Sequence, residues 1–102
     1  MSVVVSREAR RDLQRIRRYI TEELGNPATA ARIIAALKKS AESLRDFPGR
    51  GQPLDALMPV HTAYRYLPCE HYCTFYLCSE TDVLIVRILH QRQDCLRALM
   101  MG

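Results

Sequence analysis

The chain has no tryptophan, four glycines and two phenylalanines, and it contains no long hydrophobic run. A helix that crosses a membrane needs about 20 consecutive apolar residues, and no stretch of the sequence approaches that length. The first residues also lack the apolar region and the small-residue cleavage site of a signal peptide. We therefore expect one cytoplasmic domain of 102 residues, with no membrane association.

The cysteines do not have the spacing of a metal site. There are four of them: Cys69, Cys73, Cys78 and Cys95. In an extended segment, Cys69 and Cys73 would lie about 13 Å apart, whereas two ligands of one zinc ion lie within about 4 Å of each other. We therefore expect reduced thiols, no metal and no cofactor.

Positive charge exceeds negative charge, with 15 lysines and arginines against 11 acidic residues and a formal net charge of +4. Such an excess favours an anionic partner, which could be nucleic acid or an acidic protein segment. Six arginines lie within the first eighteen residues: Arg7, Arg10, Arg11, Arg15, Arg17 and Arg18. They fit a solvated helix face as well as a binding surface, and the sequence leaves both interpretations open.

The first half of the chain predicts a strand and two helices. Residues 3–5 are β-branched valines, and Ser6 is a suitable helix N-cap after them. Two apolar stripes with helical spacing follow: Ala9, Leu13, Ile16, Ile20 and Leu24, and then Ala30, Ile34, Leu37, Ala41 and Leu44, which Phe47 would extend. Gly25, Asn26 and Pro27 separate them as a helix end, an N-cap and a first helical turn. The two helices should form an antiparallel hairpin.

The second half of the chain changes to a period of two. Residues 48–62 hold three prolines and two glycines and predict a loop. Alternating segments at 63–67, 71–78 and 83–90 predict an antiparallel meander, and Leu96, Leu99 and Met100 indicate a short C-terminal helix or tail. The order is β-α-α-β-β-β. It predicts an α+β fold in which the helical hairpin packs on one face of a small, mainly antiparallel twisted sheet.

An arginine interrupts the most apolar strand. We expect the uniformly apolar side of this strand to face the helices; that side consists of Leu84, Val86 and Ile88. Arg87 should then lie on the opposite, more open face. It could contact a partner there, or it could be a structural arginine paired with a carboxylate such as Asp94 or Glu70.

Several motifs in the C-terminal third resemble one known family. They are Arg65-Tyr-Leu, Tyr72-x-x-Phe75-Tyr76 and Val86-Arg87-Ile-Leu-His90-x-Arg92-x-Asp94. With the order of elements, they make nearly the whole chain similar to the RelE/ParE superfamily of bacterial type II toxins. The resemblance implies a toxin that is neutralised by a cognate antitoxin in a hetero-oligomer. The antitoxin would bring an acidic segment and a DNA-binding domain, and the complex would repress its own operon.

The family has two branches with different targets. RelE-like members cut messenger RNA on the ribosome, whereas ParE-like members inhibit DNA gyrase by protein–protein contact. The ribonucleases often carry an arginine where this chain has Cys73, and some carry a tyrosine after Asp94, which this chain lacks. The resemblance therefore favours a ParE-like gyrase inhibitor that is not an enzyme. The alternative is a RelE-like, metal-independent and ribosome-dependent mRNA endoribonuclease.

The resemblance and the charge pattern select four candidate residues for contact with the target or the antitoxin: Arg65, Arg87, His90 and Arg92. In a ribonuclease, His90 would serve as acid or base and the arginines would hold the phosphate. Structural interpretations remain open beside these. His90 could be a hydrogen-bonded structural histidine, and Arg92 could form a local ion pair with Asp94.

Overall fold

The computed structural model describes residues 1–56 and 62–90. Its helices are α1 (Arg7–Arg18), continued by a π-helical turn (Tyr19–Glu23), and α2 (Pro27–Glu42), with short 3-10 turns at Ser43–Arg45 and Leu54–Ala56. Its strands are β1 (Ser2–Val5), β2 (Gln52–Pro53), β3 (Arg65–Cys69), β4 (Tyr72–Cys78) and β5 (Asp82–His90). The predicted β-α-α-β-β-β order is confirmed, and β2 is an additional short strand inside the predicted loop.

The five strands form one mixed sheet in the order β1-β5-β4-β3-β2. β1 runs parallel to β5, and every other neighbouring pair is antiparallel. The predicted α+β fold with a mainly antiparallel sheet is therefore confirmed. β1 pairs only with the first part of β5, and its last pair is Val5 with Ile85. The edge of β5 beyond Ile85 is consequently left to α1.

The helix ends follow the capping residues that the sequence predicts. The Ser6 hydroxyl accepts a hydrogen bond from the Ala9 amide (3.0 Å) and donates one to the Val86 carbonyl (2.8 Å), so it caps α1 and ties it to β5. The Asn26 side chain caps α2, and Pro27 is its first residue. Gly25 precedes this cap with φ of +63°, a left-handed conformation that suits glycine.

The main core lies between the helices and the sheet, and it contains most of both predicted stripes. Two predicted members are exposed instead: Leu24 by 60% and Phe47 by 67%. The Leu24 amide bonds to the Tyr19 carbonyl five residues back, so the wider π turn rotates Leu24 out of the stripe. Phe47 follows the end of α2 at Glu42, where the helical period no longer applies.

A β-bulge changes which residues of β5 face the helices. Phe75 pairs with Arg87 and Tyr76 pairs with Ile85, so Val86 is an extra residue between two adjacent pairs. Before the bulge, Val83 and Ile85 are fully buried, and after it Ile88 is buried; all three belong to the main core. Leu84 is 37% exposed. The prediction that Leu84, Val86 and Ile88 share the helix-facing side is therefore wrong, because the bulge inverts the alternation within the strand.

A second, smaller cluster covers the face of the sheet away from the helices. Its buried members are Leu54, Cys73 and Phe75. Arg87 pairs with Phe75, so the Arg87 side chain leaves the backbone on this same face of the sheet. Among the described residues, no helix is long and apolar enough to cross a membrane.

Candidate functional site

A buried carboxylate on α1 binds the edge of β5. Asp12 is 2% exposed, and its carboxylate accepts hydrogen bonds from Arg87 Nε (2.8 Å), Arg87 Nη2 (3.0 Å) and the Ile88 amide (3.0 Å). Arg15 Nη1 adds a longer contact of 3.5 Å from the exposed side of α1. The Ile88 amide lies beyond the end of β1, so Asp12 supplies the acceptor that a longer strand would have supplied. The hydrogen bond to Asp12 raises the pKa of Arg87 above its ordinary value, which keeps the guanidinium charged.

Arg87 therefore has an internal partner that the sequence interpretation did not name. Of the two carboxylates expected for it, Glu70 instead pairs with Arg32 (3.0 Å), and Asp94 lies outside the described residues. Arg87 keeps 24% of its side chain exposed. Asp12 carries a signal that sequence reasoning could have used: an acidic residue three positions after Ala9 and four before Ile16 falls on the buried stripe.

Arg65 holds a chain segment rather than facing an open surface. Its Nη2 donates to the carbonyl oxygens of Gly49 (3.1 Å) and Gly51 (2.5 Å). Arg65 lies opposite Tyr76, whose hydroxyl donates to the Pro48 carbonyl (2.9 Å) and accepts from the Gly51 amide (2.9 Å). The two side chains together fix the turn that follows α2 to the helix-facing side of the sheet.

His90 ends β5 beside a tyrosine. It lies opposite Tyr72, and the two rings meet edge to face, with centroids 5.4 Å apart and an interplanar angle of 84°. Burial raises the pKa of Tyr72, and nearby Tyr19 raises it further, so the phenol stays neutral. Both rings line a groove of about 660 Å³, which we call the Tyr72–His90 groove. Apolar side chains of Ile16 and Ile33 also line it.

The backbone around the Tyr72–His90 groove is irregular on two sides. One wall is the π-helical turn, which leaves Tyr19 51% and Leu24 60% exposed. Another is the two-residue turn between β3 and β4, where Glu70 (φ 53°) and His71 (φ 69°) are both left-handed without being glycine. π-helical turns and left-handed non-glycine residues both occur often at functional sites. We therefore take this groove as the first candidate contact surface.

A second groove, of about 540 Å³, runs between the two helices and β1, and we call it the helix-pair groove. Its lining includes the apolar residues Val5, Leu13, Ile34, Leu37 and Ile85 and the cations Arg10, Arg17 and Lys38. Glu42 is the acidic residue in the same lining. An apolar surface beside basic side chains suits a segment that is apolar on one side and acidic on the other.

The structure does not bring together the three predicted site residues that it describes, Arg65, Arg87 and His90. Arg65 pairs with Tyr76 and His90 pairs with Tyr72, four residues apart on β4, which separates the two pairs by about 13 Å. Arg87 starts from the opposite face of the sheet and turns back to Asp12. Arg92 lies outside the described residues.

The described cysteines contact protein groups on different sides of the sheet. Cys69 packs against the main core and Cys73 belongs to the second cluster. Within residues 1–56 and 62–90, no three His, Cys, Asp or Glu residues are placed to hold a metal ion. The predicted C-terminal helix or tail, His61 and Cys95 lie outside the described residues.

Comparison with known proteins identifies the family of this chain. Residues 3–95 match the family described as ParE toxin of type II toxin-antitoxin system, parDE. Among solved structures, the chain is similar to one titled "Chromosomal ParDE TA system from P. aeruginosa". The two are 20% identical with a TM-score of 0.72, and the match covers 88% of this chain and 95% of that chain. No curated protein sequence matches. On the family match, which spans nearly the whole sequence, this chain belongs to the ParE toxins of type II toxin–antitoxin systems.

Proposed function

We propose that this chain acts in the cytoplasm as an inhibitor of DNA gyrase, through protein–protein contact, and that a cognate antitoxin neutralises it. The observation that carries the proposal is the match of residues 3–95 to the ParE toxins. The arrangement of the candidate residues supports contact more than catalysis.

Cleavage of RNA through its 2′-hydroxyl needs a base, an acid and cations that converge on one phosphate. In the described part of the chain, the guanidinium groups of Arg65 and Arg87 donate to internal acceptors. Along the strand direction His90 lies about 13 Å from Arg65, and β4 lies between their two strands, so the two do not meet at one phosphate while Arg65 stays bonded to Gly51. This separation favours the gyrase inhibitor over the ribonuclease alternative.

The Tyr72–His90 groove is the surface that we assign to the target. Tyr19 and Leu24 present exposed apolar area at its rim, and partly buried aromatic and aliphatic side chains are the usual anchors of protein interfaces. His90 would contribute a polar contact inside the groove, and Arg92, which the structure does not describe, is proposed as a further contact with the target. Arg65 and Arg87 would act by positioning the turn after α2 and the end of β5.

The helix-pair groove is the surface that we assign to the antitoxin. An acidic, amphipathic segment would place its apolar side chains on Val5 and Leu13 and its carboxylates near Arg10, Arg17 and Lys38. The net charge of +4 would speed the encounter with such a partner. Because the two grooves lie on opposite sides of α1, variants of one need not damage the other.

The test is expression of the chain in a susceptible bacterium, with pulse labelling of new protein and new DNA within minutes of induction. We expect protein synthesis to continue while a DNA-damage response and cell elongation appear. A prompt collapse of protein synthesis with DNA synthesis intact would support the ribonuclease and contradict the proposal. Absence of any growth effect from soluble protein would contradict both.

Matched variants connect the phenotype to the Tyr72–His90 groove. Tyr19→Ser with Leu24→Ser removes two exposed apolar side chains at the groove, and Val4→Ser with Phe47→Ser removes two exposed apolar side chains elsewhere. The first pair should lose toxicity and still bind the antitoxin, whereas the second pair should stay toxic. Equal toxicity of both pairs would show that the target binds another surface.

A further inference from the structure

α1 carries an arginine surface that neither groove uses. At 100° per residue, Arg7, Arg11 and Arg18 project within about 40° of one another, on the side of α1 away from the buried residues Ala9 and Ile16. We call these three residues the arginine face. Arg10 and Arg17 flank it on one side and Arg15 on the other; all six arginines are exposed.

The fold gives no reason for this concentration of charge. Within the described residues, the side chains of Arg7, Arg11 and Arg18 form no hydrogen bond and no ion pair. Arg7 and Arg11 lie four residues apart, where like charges repel, and both are in the first half of α1, near the positive end of the helix dipole. Arg7 and Arg11 therefore oppose helix formation slightly, whereas Arg18, in the last turn, lies where the helix dipole favours a cation.

The arginine face also lacks what a protein or a single-stranded nucleic acid would need. It contains no apolar or aromatic side chain; Gln14 lies between its charges, and the exposed carboxylate Glu8 lies at its border. Protein interfaces are anchored by apolar and aromatic groups, and single strands are bound by stacking of bases on aromatic rings. A surface of guanidinium groups alone suits phosphates, which arginine binds with two parallel hydrogen bonds.

We propose that the arginine face binds the phosphate backbone of duplex DNA without reading its sequence. From Arg7 to Arg18 the helix rises about 17 Å, which matches about five base pairs of one strand. A helix with three arginines along its crest suits the mouth of the B-form major groove, about 12 Å wide. The deep and narrow major groove of A-form RNA does not accept it. This activity is separate from gyrase inhibition and from antitoxin binding.

Fluorescence anisotropy of a labelled 20-base-pair duplex DNA of mixed sequence, titrated with the full chain at several salt concentrations, tests the proposal. The variant is Arg7→Gln, Arg11→Gln and Arg18→Gln. The charge-matched control is Arg32→Gln, Arg45→Gln and Arg50→Gln, three arginines outside α1 that contact Glu70, Glu42 and Ser43 respectively. Thermal unfolding of both proteins checks that they fold. If the triple variant failed to fold, Arg11→Gln alone would serve.

The expected result is a change in salt dependence as well as in affinity. Loss of three phosphate contacts should reduce the slope of log K against log salt by about 2.7, and Arg11→Gln alone by about 0.9. The control should change the slope by less than about one. Equal losses in the two triple variants would show a bulk charge effect and overturn the proposal.

Competitors identify the ligand. Duplex RNA of the same sequence should bind more weakly than the DNA, and polyglutamate at equal charge concentration should not displace the DNA. Equal or tighter binding of the RNA would overturn the assignment to DNA. Displacement by polyglutamate would show that the surface fits an acidic protein. No binding of the DNA by the unmodified chain at low salt would overturn the proposal outright, without bearing on gyrase.

Discussion

Replacement of Asp12 should be among the most destabilising single changes in the described chain. Asp12→Asn puts an amide where four donors converge: two nitrogens of Arg87, the Ile88 amide and, at 3.5 Å, Arg15 Nη1. Breaking a buried ion pair typically costs about 3–5 kcal/mol. Arg87 keeps 24% exposure, so water would partly hydrate the unpaired guanidinium, and we expect a loss near the lower value, about 3 kcal/mol.

Arg87→Met should cost more, about 4 kcal/mol, because it leaves a carboxylate that is 2% exposed with only the exposed Arg15, 3.5 Å away, as a cation. The double variant should lose less than the sum of the single losses, by about 2 kcal/mol, since each single change leaves its partner charge unpaired. Urea unfolding followed by circular dichroism measures all three proteins. Asp46→Asn, at an exposed carboxylate, is the control and should stay within about 0.5 kcal/mol of the unmodified chain.

A loss below about 1 kcal/mol for Asp12→Asn would refute the reasoning, because it would show that the carboxylate contributes little to holding α1 on β5. Additive losses in the double variant would equally show that Asp12 and Arg87 do not act as a pair.

Three further predictions concern the turn after α2 and one cysteine. Tyr76→Phe should lower the free energy of unfolding by about 1–3 kcal/mol, because it removes the hydroxyl that bonds Pro48 and Gly51; urea unfolding measures it, and an unchanged midpoint would contradict it. A Cβ on Gly51 would lie 2.5 Å from the Tyr76 hydroxyl, so Gly51→Ala should lower the free energy of unfolding by more than about 1 kcal/mol. The control is Gly49→Ala, which has open space around it and should lower the free energy of unfolding by less than about 0.5 kcal/mol. Burial raises the pKa of Cys78, so less thiolate forms at a given pH, and iodoacetamide should modify Cys78 more slowly between about pH 8 and 9.5 than it modifies a free cysteine. The other three cysteines would be replaced by serine for this measurement, and a rate equal to that of free cysteine would contradict the assignment.

The sequence predicts the elements whose signals are local. Ser6 as a cap and the Gly25-Asn26-Pro27 junction depend on neighbouring residues only, and the structure confirms them. The β-bulge at Val86 depends on how two strands pair, so the alternation alone placed Leu84 on the wrong side. β2 is too short to show a period within a loop that is rich in proline.

The sequence predicts the candidate site residues from their type, but it does not predict the hydrogen bonds that these residues make inside the protein. His90, Arg65 and Arg87 were selected because their side chains suit contact or catalysis. The partners that occupy the two arginines come from far along the chain: Asp12 is 75 residues from Arg87, and the Gly51 carbonyl is 14 residues from Arg65. No local pattern specifies such pairs, because they depend on the packing of α1 on β5 and of the turn on β3. The two grooves also arise only from that packing.

The division of roles among the cations follows from these contacts. Arg65 and Arg87 stabilise the fold, the cations of the helix-pair groove are assigned to the antitoxin, and the arginine face is assigned to DNA. A net charge of +4 alone could not separate these uses. The burial and the partners of the individual cations separate these uses, and a specific variant tests each assignment.

Supercoiling of relaxed plasmid by purified gyrase is the direct measure of whether this chain inhibits the enzyme. The same plasmid, relaxed by a type I topoisomerase, is the control for coating of DNA by the chain. We expect the chain to inhibit supercoiling at concentrations that leave relaxation unchanged. The variant with Tyr19→Ser and Leu24→Ser should not inhibit supercoiling, whereas the triple variant of the arginine face should still inhibit it. Unimpaired supercoiling at a large excess of folded chain would contradict the claim, and so would equal inhibition of both enzymes.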